Sequence, residues 1–195
     1  MPQADNADIV LYYAPRTRAF RALWFLEELG EPYRIAPVDL ASAGHKRHDF
    51  LQLNPMGKLP TVVDHGVPMA ESGAILLHLA DKYSAGTLAP LSDDPRRPDY
   101  LRWLFFAVGV MEPAFGEKFF KWEDIPPHRA AWGSFAEMER VVTEALTPGP
   151  YLLGDELTAA DVLVCANLHW ARCSSSSRRR ARSPTTWRAA PPGPD

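Results

Sequence analysis

Apolar positions along the chain follow two periodicities, first mixed and then purely helical. Ile9 to Tyr13 is a short run of β-branched and aromatic residues closed by Pro15, which predicts a strand. From Arg18 to Leu29, the residues Phe20, Leu23, Trp24 and Leu26 recur at helical spacing, and Gly30 stands where a helix C-cap belongs. Tyr33 to Val38 predicts a second strand, and the crossover between the two is long enough for a parallel pair. Residues 41–53 are polar and basic, with a short helix predicted near Asp49 to Leu53. Thr61 to Val63 and Val67 to Met69 flank Asp64-His65-Gly66, the pattern of a hairpin. Between Glu71 and Tyr83, the residues Ile75, Leu76, Leu79 and Tyr83 share one helical face.

Residues 84–98 hold Gly86, Pro90, Pro95 and Pro98 and read as a linker. Strand signals stop there. Asp99 to Phe120 and Arg129 to Leu146 are helical by apolar spacing, separated by Pro126-Pro127, and Thr147-Pro148-Gly149-Pro150 ends the second. Thr158 with Asp161 three residues on opens a further helix as a shortened capping box. The expected fold class is α+β with two domains. Residues 8–84 have the order β-α-β-α-β-β-α of a thioredoxin-like domain, 85–98 link, and 99–171 form an all-α domain. From Arg172 the pattern changes to Ser174–Ser177, Arg178–Arg180 and a proline-rich end at 195. Three readings of this tail stand side by side: a disordered basic segment, a reading-frame error in the gene, and an arginine-rich arm for anionic partners.

Composition narrows the function classes. Of 195 residues, 46% are hydrophobic and 23% charged, which excludes a wholly disordered or fibrous chain. No apolar run is long enough to cross a membrane, and the polar stretch Met1 to Asp8 has no signal-peptide core. The net charge of −3 hides an asymmetry. Residues 1–170 carry 15 Lys/Arg against 23 Asp/Glu, a net of −8, whereas residues 171–195 carry six Arg and one Asp. An acidic body does not favour nucleic acid. Cys165 and Cys173 form neither a disulfide framework nor a CxxC motif, which points to a reducing cytoplasm. His45 and His48 have no further ligand cluster, so no metal is expected.

Four motifs occur in a telling order. Tyr12-Tyr13-Ala14-Pro15-Arg16-Thr17-Arg18 closes the first strand, and Asn54-Pro55-Met56-Gly57-Lys58-Leu59-Pro60-Thr61 precedes the third. Glu71-Ser72 opens a helix, and so does Leu157-Thr158-Ala159-Ala160-Asp161-Val162. From about Ile9 to about Trp170 the set resembles the cytosolic glutathione S-transferase superfamily, its bacterial Ser/Thr-type members in particular.

The resemblance implies glutathione as co-substrate and a thiolate attack on a small hydrophobic electrophile. A cis Pro60 would aim the main chain of Leu59 at the tripeptide, as in strand addition. Glu71 and Ser72 would hold the γ-glutamyl end at a helix N-terminus. Lys58 and His45 would meet the glycine carboxylate. Thr17 would stabilise the thiolate; the alternatives are a donor at Tyr12 or Tyr13, and no side-chain donor at all. Thr17 as a mere N-cap, and Glu71-Ser72 as mere caps, are the structural alternatives. Trp103, Phe106, Val110, Met111 and Phe115 form an apolar stripe, mostly core, some of which would face the electrophile. The family resemblance also implies homodimers, and usually two or more further helices where this chain turns to Ser/Arg/Pro. Glutathione-dependent isomerisation, peroxide reduction, and a non-catalytic binding protein on the same fold remain as alternatives.

Overall fold

A computed structural model describes Ala4, residues 6–120, Trp122, Pro126 and residues 128–182, with side chains as far as Cys173. The chain opens with β1 (Ile9–Tyr13), α1 (Ala19–Leu29) and β2 (Tyr33–Pro37). A 3-10 turn (Gly44–Lys46) and α2 (His48–Leu53) follow, then β3 (Thr61–Asp64), β4 (Val67–Ala70) and α3 (Ser72–Tyr83). The sheet order is β2-β1-β3-β4, with β1 parallel to β2 and the other neighbours antiparallel. This is the expected thioredoxin-like half. Leu11 and Val62 turn inward from the sheet and are fully buried with Phe25 and Leu26 of α1 and Ile75, Leu76 and Leu79 of α3. Gly30 ends α1 in the left-handed region at φ 75°, with its N–H bonded to Leu26 O at 3.2 Å.

The second half is helical: α4 (Arg97–Phe106), α5 (Glu112–Phe120), α6 (Phe135–Leu146) and α7 (Ala159–Arg182). Three boundaries differ from expectation. The single helix expected over 99–120 is interrupted by a π-helical turn, Ala107–Met111. There the amide of Asn167 donates to the Ala107 carbonyl at 2.8 Å, and a side chain that takes a ladder carbonyl loosens the turn. The helix expected from Arg129 starts only at Phe135, because Ser134 and Glu137 close a capping box: Glu137 N–H donates to Ser134 Oγ at 3.2 Å and Ser134 N–H to Glu137 Oε2 at 2.8 Å. The last helix does not end at residue 171 but continues to Arg182. Serine and arginine are tolerated in helices, and no proline occurs before Pro184 to break it. The rest of the expected tail, 183–195, lies outside the described residues.

The start of α7 also refines the expected cap. Asp161 Oδ2 accepts from Thr158 N–H at 2.9 Å and from the Thr158 hydroxyl at 2.7 Å, while Oδ1 accepts from Leu152 N–H at 2.7 Å. The carboxylate, rather than the threonine, gathers the loose donors. Helix α7 packs against α1, α3 and α4, so it joins the helical half to the sheet-bearing half. No helix of the described residues is long and apolar enough to cross a membrane.

At the far end of the β3–β4 hairpin, Asp64 is only 2% exposed. It accepts from Lys82 Nζ at 2.7 Å and the Tyr83 hydroxyl at 2.6 Å, with His65 and His78 ring nitrogens at 2.7 and 3.0 Å. Burial alone would raise its pKa, but donation from Lys82, Tyr83, His65 and His78 outweighs burial and holds the carboxyl well below the usual range. The stabilisation is therefore complete above about pH 4, the unfolded value, and is lost as pH falls below it. Asp64→Asn is expected to cost about 2–3 kcal/mol at neutral pH. It should also flatten the acid limb of stability against pH, read from urea midpoints.

Candidate functional site

Sheet register brings the expected residues to one end of the molecule. Tyr13 pairs with Pro37, Tyr12 with Thr61, and Thr61 with Ala70. The segments that follow β1, β2 and β4 and the one that precedes β3 therefore all leave the sheet from the same side. Thr17, His45, Lys58, Leu59, Pro60, Glu71 and Ser72 lie on these segments.

The β1–α1 turn carries Arg16 at φ 61°, in the left-handed region that a non-glycine residue occupies at a cost. The Thr17 hydroxyl donates to Ala14 O at 2.7 Å and accepts from Ala19 N–H at 3.2 Å. Its one proton is thus held by the turn, and its oxygen serves the first turn of α1. The N-cap position of α1 itself is Arg18, which makes no side-chain cap bond. The adjacent tyrosines diverge, as strand alternation requires. Tyr13 lines the same cavity as Thr17, whereas Tyr12 stacks edge-on against Phe50, centroids 5.6 Å apart.

The Leu59–Pro60 bond is cis. Asn54 fastens this loop. Its amide donates to Lys58 O at 2.9 Å and to Thr61 Oγ1 at 3.1 Å, and Thr61 Oγ1 donates to Lys58 O at 3.0 Å. No backbone group of a described residue pairs with the N–H or C=O of Leu59. The Lys58 side chain is exposed, and Pro60 is buried. His45 sits in the 3-10 turn against this loop: a Cβ on Gly57, at φ +59°, would lie 2.6 Å from His45 O. Lys46, not Lys58, is tied to the loop, with Nζ donating to Met56 O at 3.0 Å. His45 Nδ1 is buried without a partner among the described residues.

Glu71 caps α3 at φ +66°, a second strained non-glycine residue, and its side chain is exposed. Ser72 is buried and accepts from Arg21 Nη1 at 3.3 Å. Arg21 is 4% exposed, and its other guanidinium nitrogen donates to Glu112 Oε1 and to Asn167 Oδ1. Arg18 adds a bidentate pair to Glu112, with Nε to Oε1 at 2.8 Å. Burial pushes the Glu112 carboxyl up, but Arg18 and Arg21 more than offset this and hold it below its ordinary value. Burial pushes the Arg21 guanidinium down from its ordinary value, against the pull of Glu112.

A cavity of about 790 Å³ opens beside this network. Arg16, Thr17, Arg18 and Arg21 form its polar wall, and Phe20, Phe119, Phe120 and Trp170 its apolar wall. Of the residues expected to hold or activate glutathione, Thr17 lines it, as does its alternative Tyr13; Ser72 reaches it through Arg21. The apolar stripe is core, as expected of most of it, and none of its members lines this cavity. Trp103, Met111 and Phe115 are buried in the core and Phe106 and Val110 pack against it, while Phe119 and Phe120 of α5, with Trp170 of α7, line the cavity. Arg21, Glu112 and Asn167 were not singled out from the sequence, and Arg16 and Asn54 entered it only as members of motifs. Arg21 and Glu112 did carry a signal, a charge set inside an apolar helical face. Among the described residues no group of His, Cys, Asp and Glu could hold a metal ion.

Residues 8–81 match the family model for the glutathione S-transferase N-terminal domain. A disulfide-bond oxidoreductase, YfcG of Escherichia coli, is 34% identical over 79% of this chain and 76% of its own length. The chain belongs to the glutathione S-transferase superfamily. Glutathione S-transferase 3 of Zea mays is also 34% identical, over 80% of this chain and 74% of its own. A glutathione transferase homologue from Lodderomyces elongisporus, solved with two GSH per subunit, superposes with TM-score 0.66 at 27% identity, covering 88% of this chain and 85% of its own.

The Arg21–Glu112 network generates a test of its own. Glu112→Gln leaves the Arg21 guanidinium buried without a countercharge, and should cost about 3–5 kcal/mol in urea unfolding. Replacing both partners, as in Arg21→Met with Glu112→Leu, should recover most of that loss. A loss in the double variant equal to the sum of the losses in Arg21→Met and Glu112→Leu alone would show that the two partners do not couple.

Proposed function

We propose that this protein is a glutathione-dependent enzyme that ionises the glutathione thiol and directs it at a hydrophobic electrophile. The observation that carries this reading is the cavity whose polar wall holds Thr17 and three guanidiniums while its other wall is aromatic. The unpaired Leu59 main chain next to the cis peptide offers an edge to an extended tripeptide. Ser72, at the first turn of α3, offers its backbone N–H to the γ-glutamyl carboxylate, and Glu71 its carboxylate to the ammonium group. In this reading His45 and Lys58 meet the glycine carboxylate.

A free thiol ionises near pH 8.5. Lowering that by about two units takes about 2.7 kcal/mol. For Thr17 to contribute, its proton must leave Ala14 O for the sulfur. That exchange is favourable, because a hydrogen bond to an anion is roughly twice as strong as a neutral one. Arg18 and Arg21 share the charge of Glu112, whereas Arg16 has no carboxylate partner among the described residues. Arg16 therefore supplies the least compensated positive potential in the wall.

Ultraviolet absorbance of bound glutathione against pH tests this directly. The thiol should titrate well below its free value in wild type, and Thr17→Val should raise it by about one unit. Glu71→Gly should weaken glutathione binding about tenfold. It should also leave stability unchanged or raise it by about 1 kcal/mol, because glycine tolerates the left-handed backbone. A bound thiol that titrates like free glutathione in wild type would overturn the reading.

A further inference from the structure

The large cavity is cationic in an acidic protein. Arg16, Arg18 and Arg21 face it, and no carboxylate lines it among the described residues, although residues 1–170 carry 15 Lys/Arg against 23 Asp/Glu. The three guanidiniums are not equally available. Glu112 takes both Arg18 and Arg21, and Arg21 is further held by Ser72 and Asn167. Arg18 also lies over the Trp170 ring, 5.7 Å from its centroid. Arg16 is exposed and has no hydrogen bond or ion pair among the described residues. Its backbone is held at φ 61°, so the β1–α1 turn fixes where this free side chain starts.

We propose that Arg16 sets the specificity of the cavity and that its second substrate is an aromatic carboxylate, with the ring packed against Phe20, Phe120 and Trp170 and the anionic group on the Arg16 fork. The inference rests on the glutathione reading above and names the class of its electrophile. His45, Lys58, Leu59 and Glu71, assigned there to glutathione, do not line this cavity, whereas Thr17, assigned to the sulfur, does. Most of its volume of about 790 Å³ is thus left to the second substrate, and suits a ring-sized ligand. Both carboxylates of glutathione have partners in that reading, at Ser72 and at His45 with Lys58, so neither needs Arg16.

The two walls select for both properties at once. Phe20 and Phe120 are 39% and 60% exposed, apolar surface that a ring would cover. A neutral ring would cover it too, but would strip water from Arg16 without offering a countercharge. A carboxylate meets the guanidinium through two parallel N–H···O bonds, each roughly twice as strong as a neutral one. In the step, the glutathione thiolate, its proton already released to solvent, attacks the ring carbon that bears a halide. A carbon–sulfur bond forms, the carbon–halogen bond breaks, and halide departs with the bonding pair. No oxidant or reductant is consumed.

Calorimetry on the full chain loaded with glutathione tests the binding. The unreactive 3-nitrobenzoate should bind about tenfold more tightly than the neutral 3-nitrobenzamide. Arg16→Asn, which tolerates the left-handed backbone, should bring that ratio to about one. Arg16→Lys should keep part of it, and added salt should shrink it. Phe120→Ala should weaken both ligands alike and leave the ratio unchanged. Conjugation of 4-chloro-3-nitrobenzoate and 4-chloro-3-nitrobenzamide, each rate divided by its uncatalysed rate, should show the same preference in kcat/KM, carried by KM. Any effect of the Arg16 substitutions on thiol ionisation touches both probes and cancels in the ratio. A wild-type ratio near one, or a ratio that Arg16→Asn leaves intact, would overturn the proposal. If the absorbance titration still shows a lowered thiol pKa in that case, only the substrate class falls, and the glutathione reading stands.

Discussion

The Arg21 guanidinium is the point through which the two halves of the molecule hold each other. It sits on α1, inside the packed interior, and meets Ser72 of α3, Glu112 of α5 and Asn167 of α7. A buried cation without partners would cost several kcal/mol, so each of those elements must arrive in register for the fold to close. The same residue borders the cavity. Interior stability and the shape of that cavity therefore depend on one set of hydrogen bonds, and a change that disturbs one disturbs the other.

Much of the architecture was legible in the sequence because it depends on short-range periodicity. Ile9–Tyr13, the hairpin around His65-Gly66 and the stripe Ile75, Leu76, Leu79 each announce their element by spacing alone. The helix starts that slipped, at Phe135 and at the π turn, depend on side chains reaching the backbone. Ser134 and Glu137 were readable as a capping pair; Asn167 reaching Ala107 across the bundle was not, since nothing local marks it. The site divides in the same way. The loop Asn54–Thr61 and the pair Glu71-Ser72 stood out as motifs, and Thr17 stood out by its place after β1. Arg21 and Glu112 meet across 91 residues of sequence, and their pairing is a tertiary fact. The stripe from Trp103 to Phe115 was correctly apolar, but its spacing could not say that the cavity wall begins one turn further on.

The sheet separates two electrostatic environments. At one end Asp64 gathers Lys82, Tyr83 and two histidines and anchors the hairpin to α3. At the other, three non-glycine residues, Arg16, Ala43 and Glu71, sit in the left-handed region beside the proposed ligand groups, as His65 does at the Asp64 end. Strain is tolerated where neighbouring structure determines the chain path, and the firmly bonded hairpin and helices supply that constraint.

The π turn at Ala107–Met111 sets the rotational phase of every later residue along the rod. A residue added to or removed from an α-helix rotates the remainder of that helix by about 100°. Shortening the turn by one residue to ordinary winding would swing the acidic group of Glu112 off both guanidiniums and move the aromatic wall of α5 out of the cleft. The irregular winding thus works as a phase adjuster, and a single-codon deletion there would turn Ala114 and Phe115 away from the core together with Glu112.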